Sequence, residues 1–237
     1  MRYAAVALGR RFWTRPEAEA RPEDSAQQPS VRYLQAGDHW LARAVGRADT
    51  LLRWQHGVRE FSKKRTCLFR IALHQARHSV LLGCGRSIEP GDVIVELHLW
   101  NEHLLRIPAG GPNLAWGKLI GRRFNDTLGD LAMHMDEDAA LSAAVAICVC
   151  GGIVHDGNGA RIVRFLQKFG FESFPCPDRG RAGRLVDFFC DVWSFLLVLA
   201  YNPHSPRAEF LFQRRCELWM SREVFNRRFG RYAQRTG

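Results

Sequence analysis

The chain has 237 residues, enough for a sizeable core and for one large domain, and 34 basic against 24 acidic side chains give it a formal charge of +10. That balance favours anionic partners such as phospholipid headgroups or phosphorylated ligands; nucleic acid is not expected, since no nucleic-acid-reading motif accompanies the charge. Seven cysteines, with no CxxC pair, exclude a disulfide framework and a zinc ribbon and fit a reducing compartment.

From Met1 to Trp13 a short apolar run precedes Arg10-Arg11 without a clear cleavage site, so no secretory leader is read. Residues 14 to 30 are rich in Pro, Glu, Ala, Gln and Arg with little to bury; 1–30 is expected to be a mobile segment, and 31–237 one folded domain. Leu41, Ala44, Val45, Ala48, Leu51, Leu52 and Val58 fall at helical spacing between His39 and Arg59, with Asp38 placed to cap. Cys67 to His74 alternates, with Cys67, Phe69, Ile71 and Leu73 opposed to Arg70 and His74, and predicts a strand. Pro90-Gly91 is a turn signal directly before a second strand. There Val93, Val95, Leu97 and Leu99 share one face while Ile94, Glu96, His98 and Trp100 share the other, and Asn101 follows at the exit.

Asn113 can cap a helix running to about His134, with Trp116, Ile120, Phe124, Leu128, Leu131 and Met135 along one stripe, and Gly117 and Gly121 would let another element come close. A buried strand over Val145 to Cys150 points Cys148 and Cys150 the same way. Ala160 to Phe169 predicts a helix closed by Gly170. Val192 to Tyr201 and Phe210 to Met220 read as late strands, the first with a helical alternative, and Ser221 caps a last helix from Arg222 to Phe229 that Gly230 ends. Two apolar runs stop short of the ~18 to 20 residues of a membrane helix: Gly151-Gly152 interrupt Ala139–Val154, and Asp191 breaks Phe188–Ala200. The expected fold is α+β, a single domain with a mixed or antiparallel sheet covered by helices, and the expected location is cytoplasmic, with peripheral membrane contact left open to the basic C-terminal face of arginines 227, 228, 231 and 235.

Chemistry concentrates in three places. Glu96, His98 and Asn101 form a polar cluster at a sheet face, able to act as general acid or base or to hydrogen-bond a sugar or headgroup, and His74 joins them if the two strands pair. The plainer alternative is a set of groups closing hydrogen bonds beneath a covering helix. Between the buried strand and the next helix, Gly151-Gly152-Ile153-Val154-His155-Asp156-Gly157-Asn158-Gly159 offers glycines and helix-end amides to an anion, with Arg161 and Arg164 adding charge; a plain turn is the competing account. Strand, glycine loop and helix in that order also resemble the coenzyme A loop of GNAT acyltransferases, although Val154 stands where that pattern wants Gln or Arg, and no Walker lysine follows. Metal binding is not expected: His74-x3-His78 and His98-x4-His103 converge only on helices, and both begin in strand sequence.

The Pro90-Gly91-Asp92 turn, the Glu96-Leu97-His98-Leu99-x-Asn101 strand, Gly170-Phe171-Glu172 after a helix, and Glu217-Leu218-Trp219-Met220-Ser221-Arg222 occur in an order that resembles the YkoP-like family. The resemblance spans roughly residues 37 to 232, most of the folded part on the domain-length prior. It implies no established reaction. It implies a bacterial cell-envelope context, because members of that family are similar in lying beside or fused to envelope polysaccharide enzymes such as deacetylases. The expected role is therefore an accessory or ligand-binding protein of envelope polysaccharide or lipid metabolism, without a cofactor, whose partner is such an enzyme or a carbohydrate or lipid ligand. Its ligand contacts would be His74, Glu96, His98, Asn101 and Arg222. The alternative is a GNAT-like acyltransferase, which alone would require coenzyme A.

Overall fold

The structure, a computed structural model, describes residues 39–105, 108, 113–154, 159–177, 180–201 and 215–230. The expectations for residues 1–30, the Asp38 cap, Gly157, the 210–214 part of the last strand, and arginines 231 and 235 lie outside them, as do the side chains of Cys150 and Arg161. In chain order come α1 (His39–Gln55), β1 (Phe69–Gln75), β2 (Val80–Leu81), β3 (Ser87–Ile88), β4 (Val93–Leu99), a 3-10 turn (Asn101–His103) and α2 (Leu114–Glu137). There follow α3 (Ala139–Ser142), β5 (Ala146–Val154), α4 (Gly159–Lys168), β6 (Glu172–Pro175), α5 (Gly180–Tyr201), β7 (Arg215–Ser221), α6 (Arg222–Phe225) and a π-turn (Asn226–Gly230).

Alternation of apolar and polar residues makes β1 and β4 strands, and they pair antiparallel with Ala72 opposite Glu96 and Arg70 opposite His98. Gly91, at φ 99°, turns the chain into β4 in a conformation that L side chains rarely adopt, and its amide donates to Ala76 O at 2.9 Å. The helix α2 then carries the chain across to β5, which lies parallel to β4, the crossover that a parallel pair requires. β7 inserts antiparallel between β5 and β6, so the five-stranded sheet runs β1-β4-β5-β7-β6. It is mixed and open, and the α+β reading holds.

One face of the sheet carries the main core. Ile71, Val95, Leu97, Ile147, Leu218 and Met220 pack under α2, α4 and α6. The stripe read from the sequence is the buried one: Trp116, Ile120, Phe124, Leu128, Leu131 and Met135 all face inward. Full burial of each of Leu128, Leu131 and Met135 contributes about 1.5–3 kcal/mol. The Asn113 side chain accepts from Trp116 N at 2.9 Å, satisfying one of the amides left over at a helix start. Ser221 does the same for Val224 N at 3.2 Å.

Several elements differ from the sequence reading. Val192–Tyr201 is the end of the long helix α5; Cys190, Ser194 and Leu197, spaced four and three apart, are the buried ones among its described side chains, a helical stripe rather than an alternation. β5 runs on to Val154, so Gly151 and Gly152 belong to a strand whose pairing with β7 shifts register between Val149 and Ile153. The β2–β3 hairpin and α3 carry no clear periodic signal and were not expected. Gly121 faces open space, so no described element packs closely against α2 there. Among the described residues no helix is long and apolar enough to cross a membrane.

Candidate functional site

The second face of the sheet is where the polar residues go. Side chains of Arg70, Ala72 and His74 from β1, Ile94, Glu96 and His98 from β4, Cys148 from β5, and Glu217 and Trp219 from β7 share it by strand alternation and register. The β2–β3 hairpin covers part of this face, burying Val80, Leu82 and Ile88 against Ile94, Ala146, Cys148 and Trp219 in a second, smaller core. The ionisable residues lie around it, and most of them are buried.

Glu96 stands opposite Ala72, whose methyl leaves room for the diagonal neighbour His74 to reach across. His74 Nε2 lies 3.6 Å from Glu96 Oε2, and His98 Nε2 lies 4.0 Å from Glu96 Oε1. Glu96 and His98 are almost wholly buried, whereas the His74 side chain is 33 % exposed and forms the outer edge of the cluster. Burial pushes His98 down to about 3, helped by repulsion from His74 and His56, so its ring is neutral throughout the physiological range. A neutral imidazole beside a carboxylate is a hydrogen-bonding and metal-ligating group, not a fixed cation.

A second pair on the same face joins a buried carboxylate to a partly exposed histidine. His78 Nε2 approaches Glu217 Oε2 at 3.1 Å, and Trp219 Nε1 donates to the same oxygen at 3.2 Å. At the far end of β1, Arg70 forks onto Glu102, 3.2 Å for each bond, and also reaches Glu60 at 3.3 Å. Its guanidinium carbon sits 4.3 Å from the centre of the Trp100 ring, which stacks on His103 at 3.7 Å. The cation is thereby held by two carboxylates and an aromatic face instead of being offered to Glu96.

The structure therefore brings together His74, Glu96 and His98 but does not add the other two expected contacts. Asn101 lies past the end of β4, where it opens the 3-10 turn. Arg222 turns away to the helices, donating to Leu141 O at 3.0 Å, Met135 O at 3.3 Å and Asp136 Oδ1 at 2.7 Å, so it does not join the cluster. Neither spacing weighed for a metal closes as written, since His78 goes to Glu217 and His103 Nδ1 to Cys67 O at 2.9 Å. Of the anion-loop residues, Gly159 begins α4 and Arg164 is exposed on it. Sequence reasoning weighed His78 only as half of a metal spacing, Glu217 only as part of a motif, and His56 not at all; alternation in β7 puts Glu217 on the face of Trp219, but nothing local says that this face is the one Glu96 shares, two strands away.

The sequence model of the YkoP domain matches residues 39–229, from the start of α1 into the π-turn, and takes in all of these residues. The chain belongs to the YkoP domain family. Within this YkoP domain the four motifs that carried the resemblance separate by role. Pro90–Asp92 turns the chain into the site strand, Glu96 and His98 supply its polar groups, Gly170 at φ 97° closes α4, and the 217–222 stretch contributes Glu217 to the second face and Arg222 to the helical side. No curated protein and no solved structure matches the chain.

Proposed function

We propose that this YkoP domain is an accessory, ligand-binding protein of cell-envelope polysaccharide or lipid metabolism, with its binding site on the second face of the sheet. The observation that carries this reading is the convergence of His74, Glu96 and His98. A structural core has little reason to bury a carboxylate and an imidazole side by side at a cost of several kcal/mol in desolvation. Groups placed so can accept and donate to hydroxyls of a sugar or headgroup, with His74 as the edge from which a ligand enters. The envelope assignment rests on the resemblance that the family's motifs carry. Native mass spectrometry of the purified protein beside its His98→Ala variant tests the reading. A co-purified carbohydrate or lipid species present in the first and lost from the second supports it; bare, equally folded protein in both counts against it.

A second reading, an acyltransferase using coenzyme A, is favoured by one feature. The parallel ladder between β4 and β5 ends at Glu96–Cys148, while β4 continues to Leu99 and β5 to Val154. Ligands of α/β sheets commonly sit outside the carboxyl ends of parallel strands. On this reading coenzyme A binds the protein, and a bulky residue at Gly157 or Gly159 abolishes the binding while leaving the fold intact.

A further inference from the structure

We infer that His74, Glu96 and His98 form a binding site for a first-row divalent metal ion of the zinc type, held by two imidazole nitrogens and one carboxylate. This rests on the same cluster as the ligand-binding reading and names the group through which that cluster would hold an oxygen ligand.

The geometry is of the right size. One donor atom from each of the three residues lies within 4.8 Å of the other two. Zinc–ligand bonds of about 2.0–2.2 Å at tetrahedral angles put donor atoms about 3.3–3.6 Å apart, so the cluster needs only to contract by side-chain rotation. The 3.6 Å and 4.0 Å separations from the two Glu96 oxygens already approach that range. Both imidazoles face the carboxylate through Nε2. The backbone that aims them is held by two adjacent strands in unbroken antiparallel register, and Ala72 between them contributes only a methyl group.

The donor set decides the class of metal. Calcium and magnesium take oxygen ligands, and a site with two imidazoles is not theirs. Two histidines and one carboxylate with further positions open is a set that zinc and ferrous iron accept. The open side is defined by burial, since Glu96 and His98 close the inner side and His74 stands at the edge. An oxygen donor from a sugar hydroxyl, carboxylate or phosphate would complete the coordination there. Arg70, on the same face, is paired with Glu102 and Glu60 and does not repel the ion unopposed.

The experiment uses the full chain, stripped with EDTA and dialysed, titrated with zinc sulfate by calorimetry and weighed by native mass spectrometry. The His74→Ala and Glu96→Gln variants are run in parallel. Circular dichroism in EDTA confirms that each variant is folded; His74, at the exposed edge, is the substitution least able to disturb the core. The expected result is one zinc per chain, with affinity falling by more than about 100-fold in both folded variants. Substitution by cobalt should give the visible absorption of a low-coordinate N/O site, absent from the variants. Failure to bind zinc at micromolar concentration, or one equivalent bound equally by wild type and both variants, overturns the inference. The two readings separate cleanly. An organic species that co-purifies with metal-free protein and is lost in His98→Ala leaves ligand binding standing without the metal, and zinc bound by a protein that carries no such species supports the metal.

Discussion

Glu217, with no solvent-exposed side-chain surface, lies 3.1 Å from His78 Nε2 and ties the turn after β1 to the interior strand β7. Removing one partner of a buried polar contact costs more than the contact contributes, because the other group stays buried. His78→Ala is expected to lower stability by about 1–3 kcal/mol, and Glu217→Leu with His78→Ala together to cost less than the sum of the two single changes. Urea denaturation of the three variants, read as a double-mutant cycle, checks this; strict additivity would mean that the two side chains do not interact.

Arg222 serves the helices, not the site. Its three acceptors are the carbonyls of Leu141 and Met135 and the Asp136 carboxylate, all at the α2–α3 junction. Arg222→Ala is expected to cost about 1–3 kcal/mol, and Arg222→Lys to recover only part of it, because an ammonium cannot span three acceptors as a planar guanidinium does. Thermal melting reports the loss. Binding under the proposed function should be retained by both variants, and a selective loss of binding in folded Arg222→Lys would return Arg222 to the site.

Phe124 joins the sheet to two helices, its ring centre 5.1 Å from Phe69 on β1, 5.4 Å from Phe165 on α4 and 4.4 Å from Phe169 just beyond it. Truncation to alanine leaves a cavity lined by three rings that cannot all collapse into it. A loss of about 3–5 kcal/mol is expected in urea unfolding. A loss below 1 kcal/mol would show that α2 and α4 are not jointly anchored there.

The β2–β3 hairpin is fastened by Glu89, which accepts hydrogen bonds from the hydroxyls of Ser79 and Ser87. Those bonds hold its carboxyl below the ordinary 4.5. A depressed carboxylate stabilises the fold fully above its unfolded pKa, and the contribution disappears as pH falls through the lower folded value. Acidification below 4.5 should therefore loosen the hairpin, and Glu89→Gln should remove that dependence. Hydrogen exchange at Leu81 and Leu82 measures it; identical pH profiles in wild type and Glu89→Gln would dismiss the clasp.

Much of the local structure was legible because its causes are local. Asn113 and Ser221 cap helices by reaching amides three residues on, and the alternation from Val93 to Leu99 sorts itself onto two faces whatever lies above them. The Leu-rich 192–201 run was open to two readings because an apolar run alone does not distinguish a strand from a helix. Only the positions that α5 buries, Cys190, Ser194 and Leu197, settle the period.

By itself the sequence determined the family, the α+β class, the inward stripe of α2 and the same-face placement of Glu96 and His98, all set by spacing along one segment. Tertiary structure decided which strands became neighbours. The β1–β4 register put Ala72 opposite Glu96 and so delivered His74 to it, and the insertion of β7 beside β5 carried Glu217 onto the same face and drew Arg222 away to α2. Such pairings join residues far apart in the chain, and they are chosen by the burial of whole faces against one another, a quantity that no single segment contains.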